Sequence, residues 1–136
     1  MKMPETDEGV IAKRSSLVGR FRKFLSEESV INDHDELKVY ETDGLTAYHQ
    51  LPMIVVLPDT TAQVAKILKI CTSEGVKVVP RGAGTGLSGG ALPLADGVTV
   101  GLAKFNRILD IDYGNRTATV QTGVTNLAIT QAVEAK

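Results

Sequence analysis

The chain has little with which to cross-link itself, to bind metal through sulfur or to cross a bilayer. Cys71 is the only cysteine in 136 residues, so no internal disulfide can form and no thiolate cluster exists for zinc or iron–sulfur chemistry. The longest apolar stretch, residues 53–57, is far shorter than the ~20 residues a membrane-spanning helix needs. The opening residues lack the apolar run of a secretory signal. A lone thiol and no leader predict a reducing compartment, the cytoplasm. Charge of one sign is also missing: 15 Lys and Arg against 16 Asp and Glu leave a formal net charge of −1, which favours neither nucleic acid nor an anionic membrane. Tryptophan is absent, and three Phe and three Tyr stand against 13 Gly. Such a composition points to backbone geometry as the functional currency.

What is present divides at about residue 50. Leu17, Phe21, Phe24 and Leu25 recur at helical spacing among Arg20, Arg22 and Lys23, predicting an amphipathic first helix that ends near Ser26. Residues 27–50 are polar and aperiodic and read as an irregular connection, so 1–50 forms an N-terminal helix with a linker. Residues 51–136 are better organised. The run 53–57 predicts a strand buried on both faces and stopped by Pro58. Thr60 and Gln63 make a capping box, Val64, Ile67, Leu68 and Cys71 form an apolar stripe, and Gly75 supplies the left-handed stop of a helix. Val76, Val78 and Val79 predict a second strand ended by Pro80. A third follows at 98–102. Leu109 and Ile111 alternate with Asp110 and Asp112, the turn 113–116 follows, and Ala118 and Val120 alternate with Thr117, Thr119 and Gln121, predicting an antiparallel hairpin. Thr125 or Asn126 caps a last helix that reaches Lys136 without a terminator, so the domain reads as cut short. The fold class is α+β (α/β): a mixed sheet built from a strand-helix-strand unit and then the hairpin.

Between the second and third strands lies Arg81-Gly82-Ala83-Gly84-Thr85-Gly86-Leu87-Ser88-Gly89-Gly90. Glycine relaxes the limits on φ, so such a loop can gather successive N–H groups into a nest for phosphate oxygens, which accept hydrogen bonds and carry charge. A Walker nucleotide loop is excluded because Gly89 is followed by Gly90 and Ala91 where lysine and a hydroxyl residue are required. Gly84, Gly86 and Gly89 match the Rossmann fingerprint literally, but Gly90, Pro93 and Gly97 prevent the helix whose positive end would hold the diphosphate. A bland glycine connection that binds nothing remains as the alternative, at the cost of ordering so free a segment without a ligand.

The order strand, Pro80 to Gly86, Gly89-Gly90, strand, hairpin and Gly123 resembles the FAD-binding domain of the vanillyl-alcohol oxidase and p-cresol methylhydroxylase (PCMH) family. The stretch from residues 43–48 through 120–124 looks most like the branch holding the GlcD subunits of glycolate oxidase and the FAD-linked D-lactate dehydrogenases. The resemblance implies that 51–136 is the first part of a PCMH-type FAD-binding domain. It implies that Gly82, Ala83, Gly84, Thr85, Gly86 and Leu87 wrap the diphosphate of FAD, with Gly90 allowing close approach and Pro58 and Gly123 lining the cofactor. Arg81 has two roles open to it, neutralising phosphate or bonding local carbonyls. Some family members tether FAD covalently through a histidine where this chain has Thr85, so non-covalent FAD is expected. The family's catalytic groups and any metal ligands come from other regions, and nothing here is expected to be catalytic. A small 2-hydroxy acid as substrate of the full enzyme, and partner subunits of an oxidase complex, are further expectations of the resemblance.

Other reactive side chains read as structural. His34 and His49 lack partners at metal-ligand spacing, Cys71 falls on an apolar helical stripe, and Asp33, Asp35 and Glu36 read as a solvated loop.

Overall fold

The computed structural model describes residues 3–134. Two helices open the fold, α1 (Glu8–Ile11) and α2 (Arg14–Phe21), the first capped by the Asp7 carboxylate. Leu17, Phe21 and Leu25 are buried as their spacing requires, although regular helix ends at Phe21 and the chain reaches Ser26 through turns. The stretch read as an irregular connection contains more order than its composition suggests. It holds strand β1 (Val30–Ile31), the short helix α3 (His34–Leu37) capped by Asp33, and two 3-10 turns at Glu27–Ser29 and Lys38–Tyr40.

Strand β2 (Ile54–Val56) is buried along its whole length. Helix α4 (Thr61–Glu74) begins with the reciprocal Thr60–Gln63 capping box and ends at Gly75, whose φ of 69° only glycine adopts without strain. Ile67 and Cys71 face the core, but Leu68, one step further round the helix, is 44% exposed, so the buried stripe is narrower than the apolar pattern. Strand β3 (Lys77–Arg81) runs through Pro80 instead of stopping at it. The Arg81 carbonyl accepts from Leu102 N–H, so Arg81 turns toward the neighbouring strand and Pro80 turns away. The missing proline N–H therefore costs no ladder bond.

Strand β4 (Gly97–Gly101) lies between β2 and β3, giving the order β1-β2-β4-β3 with β2, β4 and β3 parallel. The sheet is mixed because β1 joins β2 antiparallel, pairing Val30 with Val56. The hairpin of β5 (Ile108–Asp112) and β6 (Thr117–Val120) forms a second, two-stranded sheet, and α5 (Asn126–Val133) follows with Thr125 as its cap. Phe21, Leu17, Ile54, Val56, Ile67, Cys71, Val98 and Val100 form the main core between the helices and the four-stranded sheet, each large apolar side chain contributing about 1.5–3 kcal/mol by leaving water. Among the described residues no helix is long and apolar enough to cross a membrane.

Asp96 ties the N-terminal segment to the sheet, accepting from Lys77 Nζ at 2.6 Å and from Asp7 N–H at 3.0 Å while only 3% exposed. Burial pushes its pKa upward, but the Lys77 ammonium and the Asp7 amide outweigh that and hold the carboxyl below its usual range. A lowered folded pKa gives stability that is complete above the unfolded value of about 3.9 and is lost as pH falls through the folded value. Asp96→Asn should therefore lower stability at neutral pH and flatten its decline in acid, read as urea midpoint against pH. An unchanged acid slope would show that the carboxylate does not carry this linkage.

Candidate functional site

Parallel strands leave their carboxyl ends on one side of a sheet, and ligands of such sheets collect there. β2 leads to Pro58, β3 leads directly into the glycine loop, and β4 leads to a turn at residues 102–105. The register sets Val56 beside Val100 and Arg81 beside Gly101, so the three exits are neighbours. Gly123 joins them from the hairpin, donating its N–H to Phe105 O at 2.8 Å. A Cβ there would lie 2.3 Å from Leu102 O, so the contact requires glycine.

The loop is open to solvent at Gly82, Ala83, Thr85, Gly86, Leu87 and Gly90. Among the described residues no acceptor meets the N–H of Gly82, Ala83, Gly84, Thr85, Gly86 or Leu87. Six consecutive amides are thus available to an external acceptor. The glycines divide into two kinds. Gly84 and Gly89 have φ of 74° and 77°, which explains glycine by backbone geometry. Gly82, Gly86 and Gly90 have no such φ, and a Cβ on any of them would meet nothing within 4 Å. The chain's own packing does not require glycine at those three positions, whereas a ligand lying against the backbone would. The donor set and the cleared space both fit a diphosphate.

The inner side of the loop is held by a segment far away in sequence. Arg81 Nη1 donates to Thr42 O at 2.6 Å and to Ala91 O at 3.4 Å, and its guanidinium lies 5.7 Å from the Tyr40 ring centre. Of the two roles open to Arg81, the geometry shows carbonyl bonding. Gly44 N–H donates to Gly86 O at 3.0 Å, and the buried Asp43 accepts from Gly89 N–H at 2.9 Å and Leu45 N–H at 3.0 Å. In the sequence Asp43 and Gly44 contribute to the family resemblance and give a turn signal, and nothing in their spacing points to Gly86 or Gly89.

Pro58 lies at the same sheet end but is fully buried, so it supports the site from within and offers no surface to a ligand. Leu87 is 69% exposed on the loop crest. His34 and His49 pair with Asp35 and Glu41 at the surface, and no cluster of metal-ligating side chains occurs among the described residues. Burial pushes the Cys71 thiol up to about 11, against a smaller opposing pull from Arg20, so it is an inert core residue.

Comparison with known proteins identifies the family to which this fold belongs. The family described as FAD binding domain matches residues 52–136. The chain is 49% identical over 120 residues to the glycolate oxidase subunit GlcD of Escherichia coli (strain K12), covering 88% of this chain and 24% of that protein. It is 34% identical over 119 residues to a probable mitochondrial D-2-hydroxyglutarate dehydrogenase of Oryza sativa subsp. indica, covering 88% of this chain and 21% of that one. The crystal structure of p-cresol methylhydroxylase with substrate bound superposes with a TM-score of 0.81 at 25% identity, covering 98% of this chain and 26% of that one. The chain therefore spans about a quarter of the length of the relatives it matches.

Gly84 and Gly86 provide a paired test of the loop. Gly84→Ala forces a left-handed residue to carry a Cβ that would sit 2.3 Å from Arg81 Nη2, and should cost about 1–2 kcal/mol in urea unfolding. Gly86→Ala places its Cβ in open space and should leave stability within about 0.5 kcal/mol. Equal losses at both positions would contradict the division of the glycines into two kinds.

Proposed function

The chain belongs to the FAD binding domain family over residues 52–136, and from that premise we propose that it holds FAD within a flavin-dependent oxidoreductase that oxidises a 2-hydroxy acid to the 2-oxo acid. The observation that carries the reading is the largely exposed run of six unbonded amides together with three glycines that the chain's own packing does not need. In this reading Gly82, Ala83, Gly84, Thr85, Gly86 and Leu87 donate to the diphosphate, Gly90 keeps the approach clear, and the Thr85 hydroxyl adds a donor. Arg81 acts from behind the loop, and Pro58 and Gly123 shape the sheet end on which the cofactor lies. Each charge-assisted amide bond contributes about 1.5–3 kcal/mol, so a few of them anchor a dianionic group firmly.

When bound, FAD supplies the hydride acceptor. The residues described here bind and orient it, and none is assigned a catalytic role. The 2-hydroxy acid is supported by the names of the relatives, a glycolate oxidase subunit at 49% identity and a D-2-hydroxyglutarate dehydrogenase at 34%. The glycolate or D-lactate type is favoured, glycolate being named in the relative of higher identity and D-lactate coming from the sequence resemblance alone, and D-2-hydroxyglutarate is the second. The subunit named in the first relative supports an assembly with partner chains. Reduction of the bound flavin by glycolate, D-lactate and D-2-hydroxyglutarate, followed by its visible absorbance in the intact protein, decides among them. Bleaching by none of the three would overturn the substrate class.

Two outcomes test the cofactor assignment itself. Gly86→Val should weaken FAD binding by at least about tenfold, or about 1.4 kcal/mol, in a fluorescence titration while leaving the unfolding midpoint of the FAD-free protein unchanged. Because Thr85 has no imidazole, FAD should separate from the polypeptide on acid denaturation, and a flavin that stays attached would disprove non-covalent binding.

A further inference from the structure

A loop with this much glycine loses a great deal of conformational entropy on ordering, and a ligand that had to order it would bind correspondingly weakly. The contacts behind the loop remove that cost in advance. They fall at its beginning, middle and end: Arg81 to Thr42 O, Gly86 O from Gly44 N–H, and Gly89 N–H to Asp43. None of them uses an amide from residues 82–87. Thr46, just beyond this segment, has a φ of 52°, which a non-glycine residue keeps only where its surroundings hold it.

Asp43 is the informative member. It is 5% exposed, and among the described residues it makes no ion pair; its two oxygens accept the backbone N–H groups of Leu45 and Gly89 instead. A carboxylate beside a site for anions opposes the ligand's charge, so electrostatic attraction cannot account for it there. Its geometry does: it fixes the Gly89 amide and so sets where the loop turns back. The approach depends equally on Gly44, where a Cβ would lie 2.6 Å from Thr85 O.

We propose that residues 42–44 form a clamp that shapes the loop before the cofactor arrives, with Asp43 as a positioning residue that sets cofactor affinity. The affinity part rests on the FAD reading above. The test uses Asp43→Asn and Asp43→Ala in the intact protein, with Gly44→Ala as an independent disturbance of the same contact. Two quantities are read: FAD affinity by titration, and amide hydrogen exchange in the FAD-free protein across the loop and across β2 and β4. The expected result is weaker FAD binding by about tenfold or more, faster exchange at Gly89, the loop amide that Asp43 holds, with β2 and β4 unchanged, and recovery of that protection at saturating FAD. The smaller change, Asp43→Asn, which keeps one acceptor oxygen, should have the smaller effect. Affinity within about twofold of the parent with unchanged loop exchange overturns the clamp. Faster exchange throughout β2 and β4 overturns it too, by making Asp43 a general stability residue. A parent protein that binds no FAD while Asp43→Asn still loosens the loop refutes the FAD reading and the affinity claim, and leaves the clamp standing.

Discussion

The structure turns on a conflict between two demands on one stretch of backbone. In the proposed FAD-binding role residues 82–87 keep their N–H groups unbonded within the protein, yet a segment whose amides make no internal hydrogen bonds has little to hold its shape. The fold resolves this by gripping the loop through everything except those amides. It uses the Arg81 side chain, the Gly86 carbonyl and the Gly89 amide, and it recruits all three partners from residues 42–44. The order of the loop thus comes from a region whose own composition is polar and aperiodic.

The rest of the molecule brings these two segments together. β3 delivers Arg81 to the sheet end in register with Gly101, and β4 sits between β2 and β3 so that all three exits share one side. β1, only two residues long, pairs with β2 and anchors the start of the stretch that carries Asp43. Gly123 closes the opposite flank by approaching the turn after β4. The helices α2 and α4 bury their apolar faces in the core.

Local signals were legible in the sequence. The Thr60–Gln63 cap, the Gly75 stop, the β5–β6 hairpin and the glycine loop between two strands are each encoded within a few residues, and each was found where the pattern placed it. Features set by distant partners were not legible. Val30 and Ile31 are too few to show alternation, and they form a strand only because Val55 and Val56 offer an edge. Asp43 meets Gly89 across 46 positions, and no spacing rule reaches that far. The outward turn of Pro80 depends on which edge of the sheet β3 occupies, and the exposure of Leu68 on how closely α4 is covered. Of the seven loop residues singled out after Arg81, Gly82, Ala83, Thr85, Gly86, Leu87 and Gly90 are exposed and Gly84 is half-buried, while Pro58 is buried.

Pro80 has one further consequence. Among the described residues β3 is the last strand of the four-stranded sheet, and its outer margin is the row of backbone groups that a second molecule would zip onto. At Pro80 that row lacks a donor, and the pyrrolidine ring stands where an incoming strand would have to approach. The same residue that leads the chain into its loop therefore also guards the sheet against edge-to-edge self-association.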